Sequence, residues 1–166
     1  SNKVFQKKET AADLGSDIHE ITKRINKKEE IDVESLPEKK RGYIKGFLNF
    51  CATVNPKTLL AEQECYSLKY GYAGTTDWIA ELPNGEIWLM DFKTGGIYLE
   101  AGLQMAAYKA AINEMIETGI LSIPKIDKTA VIQLSSDGTF NLRIFDSPLE
   151  IFLRALELFN WYESNK

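Results

Sequence analysis

Cysteine is scarce in this chain. Among 166 residues there are two, Cys51 and Cys65, and they do not form a C-x-x-C pair. Two thiols alone supply neither a four-thiolate zinc site nor an iron–sulfur cluster, so both are expected as free thiols in a reducing cytoplasm. No uninterrupted apolar run approaches the roughly 20 residues of a membrane span, and the opening residues do not read as a secretory signal. Repeats, linkers and low-complexity tracts are missing as well, which predicts one domain over residues 1–166. Positive charge is not in excess: the net charge is −4, which argues against a protein held on nucleic acid by bulk charge alone.

The charge is unevenly distributed. Residues 1–60 hold 12 Lys/Arg and 9 Asp/Glu, a net of +3, whereas residues 61–166 hold 8 and 15, a net of −7. Basic clusters lie at Lys7-Lys8, at Lys23, Arg24, Lys27 and Lys28, and at Lys39-Lys40-Arg41 with Lys45. They read either as solvated helix faces or as a basic rim beside an acidic metal site.

Hydrophobic periodicity orders the elements. Leu14, Ile18, Ile21 and Ile25 make one stripe of a helix over residues 9–29, ended by a charged break from Lys27 to Glu34. A second helix follows Ser35 with Pro37 in its first turn and Tyr43, Phe47, Leu48 and Phe50 inward, stopped by Asn55-Pro56. Leu59–Leu68 reads as a strand, Gly71–Gly74 as a bend, and Thr75–Leu82 with Glu86–Lys93 as a hairpin around Asn84-Gly85. Residues 100–118 return to a helix ended by Gly119, and Thr129–Leu134 with Thr139–Phe145 form a hairpin around Asp137-Gly138. A last helix starts from Ser147 as N-cap and Pro148, with Leu149, Phe152, Leu153, Leu156 and Phe159 inward. No coiled coil or unusual apolar patch is expected. The order ααβββαββα predicts an α/β (α+β) domain, a mixed sheet of four or five strands with helices packed on it.

The densest chemistry is Trp88-Leu89-Met90-Asp91-Phe92-Lys93-Thr94-Gly95. Asp91 and Lys93 share a strand face roughly 6–7 Å apart, and an apolar strand does not hide charges without a reason. The plainer alternative is an edge strand carrying an ion pair. A two-residue Asn84-Gly85 loop would set Pro83 opposite Glu86 and Asp77 opposite position 92, beside Asp91. Two carboxylates there repel each other without a cation and suit Mg²⁺ or Mn²⁺. His19 lies beside the Ile18 stripe, one turn after Gly15 and Ser16, and reads as a ligand or as an ordinary surface histidine. Gln104 and Tyr108, four apart on an otherwise apolar helix, either point at something polar or bond a core-edge partner. Glu62 and Glu64 share a strand face that supplies a ligand through water or faces solvent.

In this order, Gly15…His19, Gly74-Thr75-Thr76-Asp77, Asp91-Phe92-Lys93 and Gln104…Tyr108 resemble the PD-(D/E)XK nuclease superfamily, and more narrowly its RecB-like exonuclease branch. Tyr72 through Gly95 is similar to small phage or prophage versions of that branch. The resemblance implies a restriction-endonuclease-like core. It also implies a metal held by Asp77, Asp91, His19 and the backbone carbonyl of Phe92, with Glu62 acting through water. Lys93 would hold the attacking water, and Gln104 and Tyr108 would brace the site or touch the nucleic-acid backbone. Thr76 stands where the family name expects proline, and Lys23 stands where relatives often carry an acid. The cluster cysteines of iron–sulfur members are missing.

The expected function is therefore a Mg²⁺- or Mn²⁺-dependent nuclease hydrolysing phosphodiester bonds, a DNA exonuclease in recombination, repair or phage DNA processing. Expected partners are linear DNA and a helicase or recombination protein, with no membrane and with oligomeric state open. The alternative is a catalytically silent nucleic-acid-binding or assembly domain on the same fold.

Overall fold

A computed structural model describes residues 9–166. The basic pair Lys7-Lys8 lies outside the described residues. Helix α1 (Ala11–Asn26) opens with a capping box in which the Thr10 hydroxyl accepts from the Asp13 N–H and the Asp13 carboxylate accepts from the Thr10 N–H. A short 3-10 turn, Val33–Ser35, leads to α2 (Glu38–Val54), which Asn55 ends in the left-handed conformation at φ 52°. Three strands follow, β1 (Lys57–Ser67), β2 (Tyr72–Glu81) and β3 (Ile87–Lys93). After α3 (Leu99–Glu117) come β4 (Lys128–Leu134), β5 (Phe140–Phe145) and α4 (Leu149–Ser164).

The sheet runs β1-β2-β3-β4-β5, with β3 and β4 parallel and every other pair antiparallel. The parallel step follows from α3, which carries the chain back across the sheet. This is the mixed α+β architecture the periodicity predicts. β3 is the central strand, buried from Ile87 through Phe92, so Asp91 and Lys93 do not lie on an edge strand.

Alternation along β3 divides the core. Trp88, Met90 and Phe92 pack with Ile18, Ile44, Phe47 and Phe50 of α1 and α2. Ile87 and Leu89 pack with Met105, Ala111, Ile112 and Met115 of α3. Asp91 is the next odd position in the α3-facing row, at the end of the strand. Two buried apolar layers on one sheet account for how six consecutive residues of β3 escape solvent. No helix among the described residues is long and apolar enough to cross a membrane.

Several details depart from the periodicity. Leu48 is exposed, and Ile44 holds the inward place on α2 instead. The bend before β2 falls at Leu68–Gly71, so Gly74 lies inside the strand, where it lets the Tyr108 ring come against the backbone. The β2–β3 loop has three residues, Pro83-Asn84-Gly85, closed by Gly85 N–H donating to Leu82 O with Gly85 at φ 84°. The register therefore pairs Trp78 with Met90 and Ala80 with Trp88, one residue from the predicted pairing. The observed slip puts Trp78, Met90 and Trp88 on one face, which the two-residue loop would have split. Ser147 is not a cap: Pro148 occupies the N-cap position and no side chain caps the helix. Phe159, predicted inward, is exposed together with Leu158, Trp161 and Tyr162, so α4 carries the apolar patch that was not expected.

Candidate metal centre

Pairing between β2 and β3 stops at Trp78 and Met90, although β2 runs back to Tyr72 and β3 on to Lys93. The sheet forks there, and the freed Phe92 N–H needs a partner. Asp77 provides it: its Oδ2 accepts from Phe92 N at 2.9 Å. His19 reaches the same oxygen from α1, with Nδ1 at 3.2 Å, and its ring stands edge-on to the Phe92 ring. The Phe92 backbone carbonyl also lies beside the imidazole. Extending the observed register sets Asp77 directly opposite Asp91.

Asp91 is buried, and its carboxyl is in the least comfortable position of the group. Lys93 Nζ stands 2.8 Å from Asp91 Oδ2, yet without hydrogen-bonding geometry, so that oxygen is buried with no hydrogen bond. Close charge and absent alignment are both true of this contact, and the missing alignment weakens it. Burial first, and the neighbouring Asp77 second, push the Asp91 carboxyl up to about 7 against the pull of Lys93. Burial also pushes Asp77 upward, but His19, Asp91 and the Phe92 N–H outweigh it and hold Asp77 below its ordinary value. The Asp77 carboxylate raises His19 despite the opposing effect of burial.

His19, Asp77, Phe92 and Lys93 open onto a cleft of about 780 Å³, lined also by Gly15, Glu62 and Tyr98, whereas the buried Asp91 is not among its lining residues. Glu62 stands opposite Asp77, between the pairs Ala61–Trp78 and Gln63–Thr76, with its backbone at φ 53°. Exposure still alternates from Ala61 to Ser67, with Glu62 and Glu64 both exposed. Lys23 Nζ lies 2.7 Å from Glu62 and 2.5 Å from Glu20. The lysine noted at the place of an acid thus tethers Glu62 to α1. Glu64 is exposed, pairs with Thr75 and does not line the cleft.

Gln104 Nε2 donates to Tyr108 Oη at 2.9 Å, so the predicted pair is formed. Neither side chain hydrogen-bonds to Asp77, Asp91 or Lys93 among the described residues. Burial raises the Tyr108 hydroxyl, and the charges of Asp91 and Asp77 push the same way. Gln104 meets Lys93 and Tyr98 in an adjoining cleft of about 540 Å³. Gly96 and Tyr98 wall both spaces and Thr94 and Gly95 the larger one; Thr94 and Gly95 close the motif read from sequence, whereas Gly96 and Tyr98 were not assigned a place in the site. The glycine pair Gly95-Gly96, one residue after Asp91-Phe92-Lys93, was the available signal. Gln133 Nε2 donates to Gly95 O at 2.7 Å and fixes that loop.

The basic clusters are largely spent on ion pairs. Arg24 pairs with Glu29, Lys40 with Asp17, and Lys45 with Glu34. Only Lys27 and Lys28 of the first-helix cluster lack an acidic partner among the described residues. Both cysteines are free, and burial pushes each thiol up to about 11, which keeps them protonated near neutrality.

No three His, Cys, Asp or Glu side chains of the described residues form a ready cage for a metal. The donor chemistry nevertheless fits a hard divalent cation. The Asp77 carboxylate lies against both the His19 imidazole and Asp91, one carboxylate oxygen is buried without a hydrogen bond, and Asp91 is driven toward protonation by burial first and by Asp77 second. Compared with models of known protein families and with curated proteins, the chain matches none.

Proposed function

We propose that this protein is a Mg²⁺- or Mn²⁺-dependent nuclease of the PD-(D/E)XK kind, similar to its RecB-like branch, that hydrolyses DNA from its ends. The observation that carries the reading is the buried Asp91 oxygen, without a hydrogen bond, beside Lys93 and Asp77, two residues that line a cleft. His19, Asp77, Asp91 and the Phe92 carbonyl would hold the cation, with Glu62 acting through water. When bound, the cation would withdraw charge from the scissile phosphate and acidify a water.

The chain's own groups do the rest. Asp77 keeps the fork in shape by accepting from Phe92 N–H while it binds His19. Lys93, relieved of balancing Asp91, turns its ammonium toward the attacking water and the phosphoryl oxygens, where negative charge grows. Gln104 and Tyr108 form a fixed donor pair along α3 that braces the nucleic-acid backbone. With most helix cations already paired, electrostatic hold on DNA is modest and strongly salt-dependent. The reducing cytoplasm is the compartment this reading implies, with a helicase or recombination protein as working partner.

The test is a cleavage assay on linear and circular DNA, single- and double-stranded, with Mn²⁺, Mg²⁺ or EDTA. Metal-dependent loss of linear DNA that spares circles is expected, and Lys93→Ala lowers the rate by about 10²-fold or more with the fold intact. Unchanged cleavage in purified Lys93→Ala and Asp91→Ala refutes the assignment. Mn²⁺ binding with no cleavage of any substrate moves the protein to a silent nucleic-acid-binding domain.

A further inference from the structure

Helix α4 is apolar on two opposite sides. Leu149, Phe152, Leu153 and Leu156 turn toward the domain and are half-buried, with Phe152 edge-on to Tyr72. On the other side Ile151, Ala155, Leu158 and Tyr162 recur at i, i+4, i+7 and i+11, flanked by Phe159 and Trp161. The five large side chains of this second face are between 43% and 66% exposed. From Glu157 onward every residue of α4 is exposed, so its last two turns have no packing against the domain. A helix end of that length does not hold itself together in water, and a helix apolar all round is ordinarily buried.

We propose that this face is where two copies of the chain associate, through an antiparallel α4–α4 pair about a two-fold axis. The area is adequate: at roughly 150–250 Å² per aromatic side chain, the exposed face offers about 600 Å² per copy, or about 1,200 Å² in total, at the threshold of a specific interface. The charges are self-complementary. Centring the axis between Ala155 and Leu158 sets Ile151 against the partner's Tyr162 and Arg154 beside the partner's Glu157, on one flank of the seam. Neither Arg154 nor Glu157 has an ion-pair partner within the described residues, so both remain available. Glu150, Glu157 and Glu163 outnumber Arg154 on this helix and disfavour an anionic lipid surface as the occupant. The inference does not depend on the nuclease reading.

Sedimentation velocity from about 5 to about 200 µM, the range of a micromolar interface, tests it. The expected result is a mass that rises with concentration to twice that of the chain. Leu158→Glu raises the dissociation constant at least tenfold, and its unchanged far-UV circular dichroism shows that the domain still folds. Arg154→Glu weakens association, and combining it with Glu157→Arg restores it. A single-chain mass at every concentration overturns the proposal, including the case in which the protein instead sediments with phosphatidylserine vesicles. Association that survives Leu158→Glu overturns it too, and indifference to Arg154→Glu overturns the antiparallel pairing.

Discussion

Replacing Asp91 with asparagine should stabilise the metal-free protein, and increasingly so as pH rises. The folded state lifts this carboxyl from 3.8 to about 7, so the native form holds its proton more tightly than the unfolded chain. Stability therefore falls as pH rises from 3.8 to about 7 and is level above that range. At about 1.4 kcal/mol per pKa unit, the penalty is about 4 kcal/mol at most. Asparagine removes that penalty but also loses the attraction of Lys93, and Asp77 shares the titration, so about 2 kcal/mol is the expected gain. For a chain of this size, that is a rise in Tm of about 4–8 °C. Thermal melts in EDTA from pH 4.5 to 8 read it directly: the gap between the two proteins should be smallest at the acid end and widen toward pH 8. Millimolar Mn²⁺ should then raise the wild-type Tm by mass action and leave the variant in place. A variant that melts below wild type at pH 8, or a gap that does not widen with pH, would show that a carboxylate buried beside Asp77 is not what strains this site.

Two further substitutions probe the neighbouring contacts. His19→Ala should cost more stability at pH 6 than at pH 9, because the folded state raises the imidazole above 6.5 and its attraction for Asp77 is lost as pH climbs through that raised value; urea titrations at the two pH values measure the difference. Gly74→Ala should destabilise the fold by about 1–3 kcal/mol, since the new methyl meets the Tyr108 ring. Adding Tyr108→Leu should recover part of that loss, and a double variant no more stable than Gly74→Ala alone would contradict the packing argument.

Most helices and strands were legible from periodicity because they bury one face, and burial writes a period of two or near four into the chain, while β3, buried on both faces, was legible from the turn residues that bound it. What escaped were features set by a single residue's backbone. Asn84-Gly85 announces a turn, but its residues do not state that Gly85 closes a three-residue loop at positive φ. The sequence spacing brought Asp77 near Asp91, and the extra loop residue changed which position it faces. Glu62 carries no sequence mark of its φ of 53°, and the register slip of β1 against β2 lies elsewhere, between Thr58 and Leu60. The exposure of Phe159 was illegible for a different reason: a helix apolar on both faces has no preferred inward side in its sequence, and only the limited reach of the domain beneath it decides.

The fork between β2 and β3 joins the stability of the fold to the chemistry of the candidate site. Had the two strands stayed paired to their ends, the Phe92 N–H would bond a backbone carbonyl and Asp77 would be free to turn into solvent. Because they part at Trp78 and Met90, Asp77 is recruited to satisfy the backbone, and that bond fixes its carboxylate against Asp91. The penalty at Asp91, set by burial first and Asp77 second, is thus tied to the same geometry that gathers the donors, and the fold tolerates it because β3 from Ile87 to Met90, and Phe92, are apolar and packed. A site that is strained when empty binds a cation with the strain relieved as part of the driving force, so variants that relax the empty site should weaken metal binding in proportion. Asp91→Asn tests the two effects in one protein: the gain in Tm without metal and the lost response to Mn²⁺ must appear together, because both come from the same carboxylate charge.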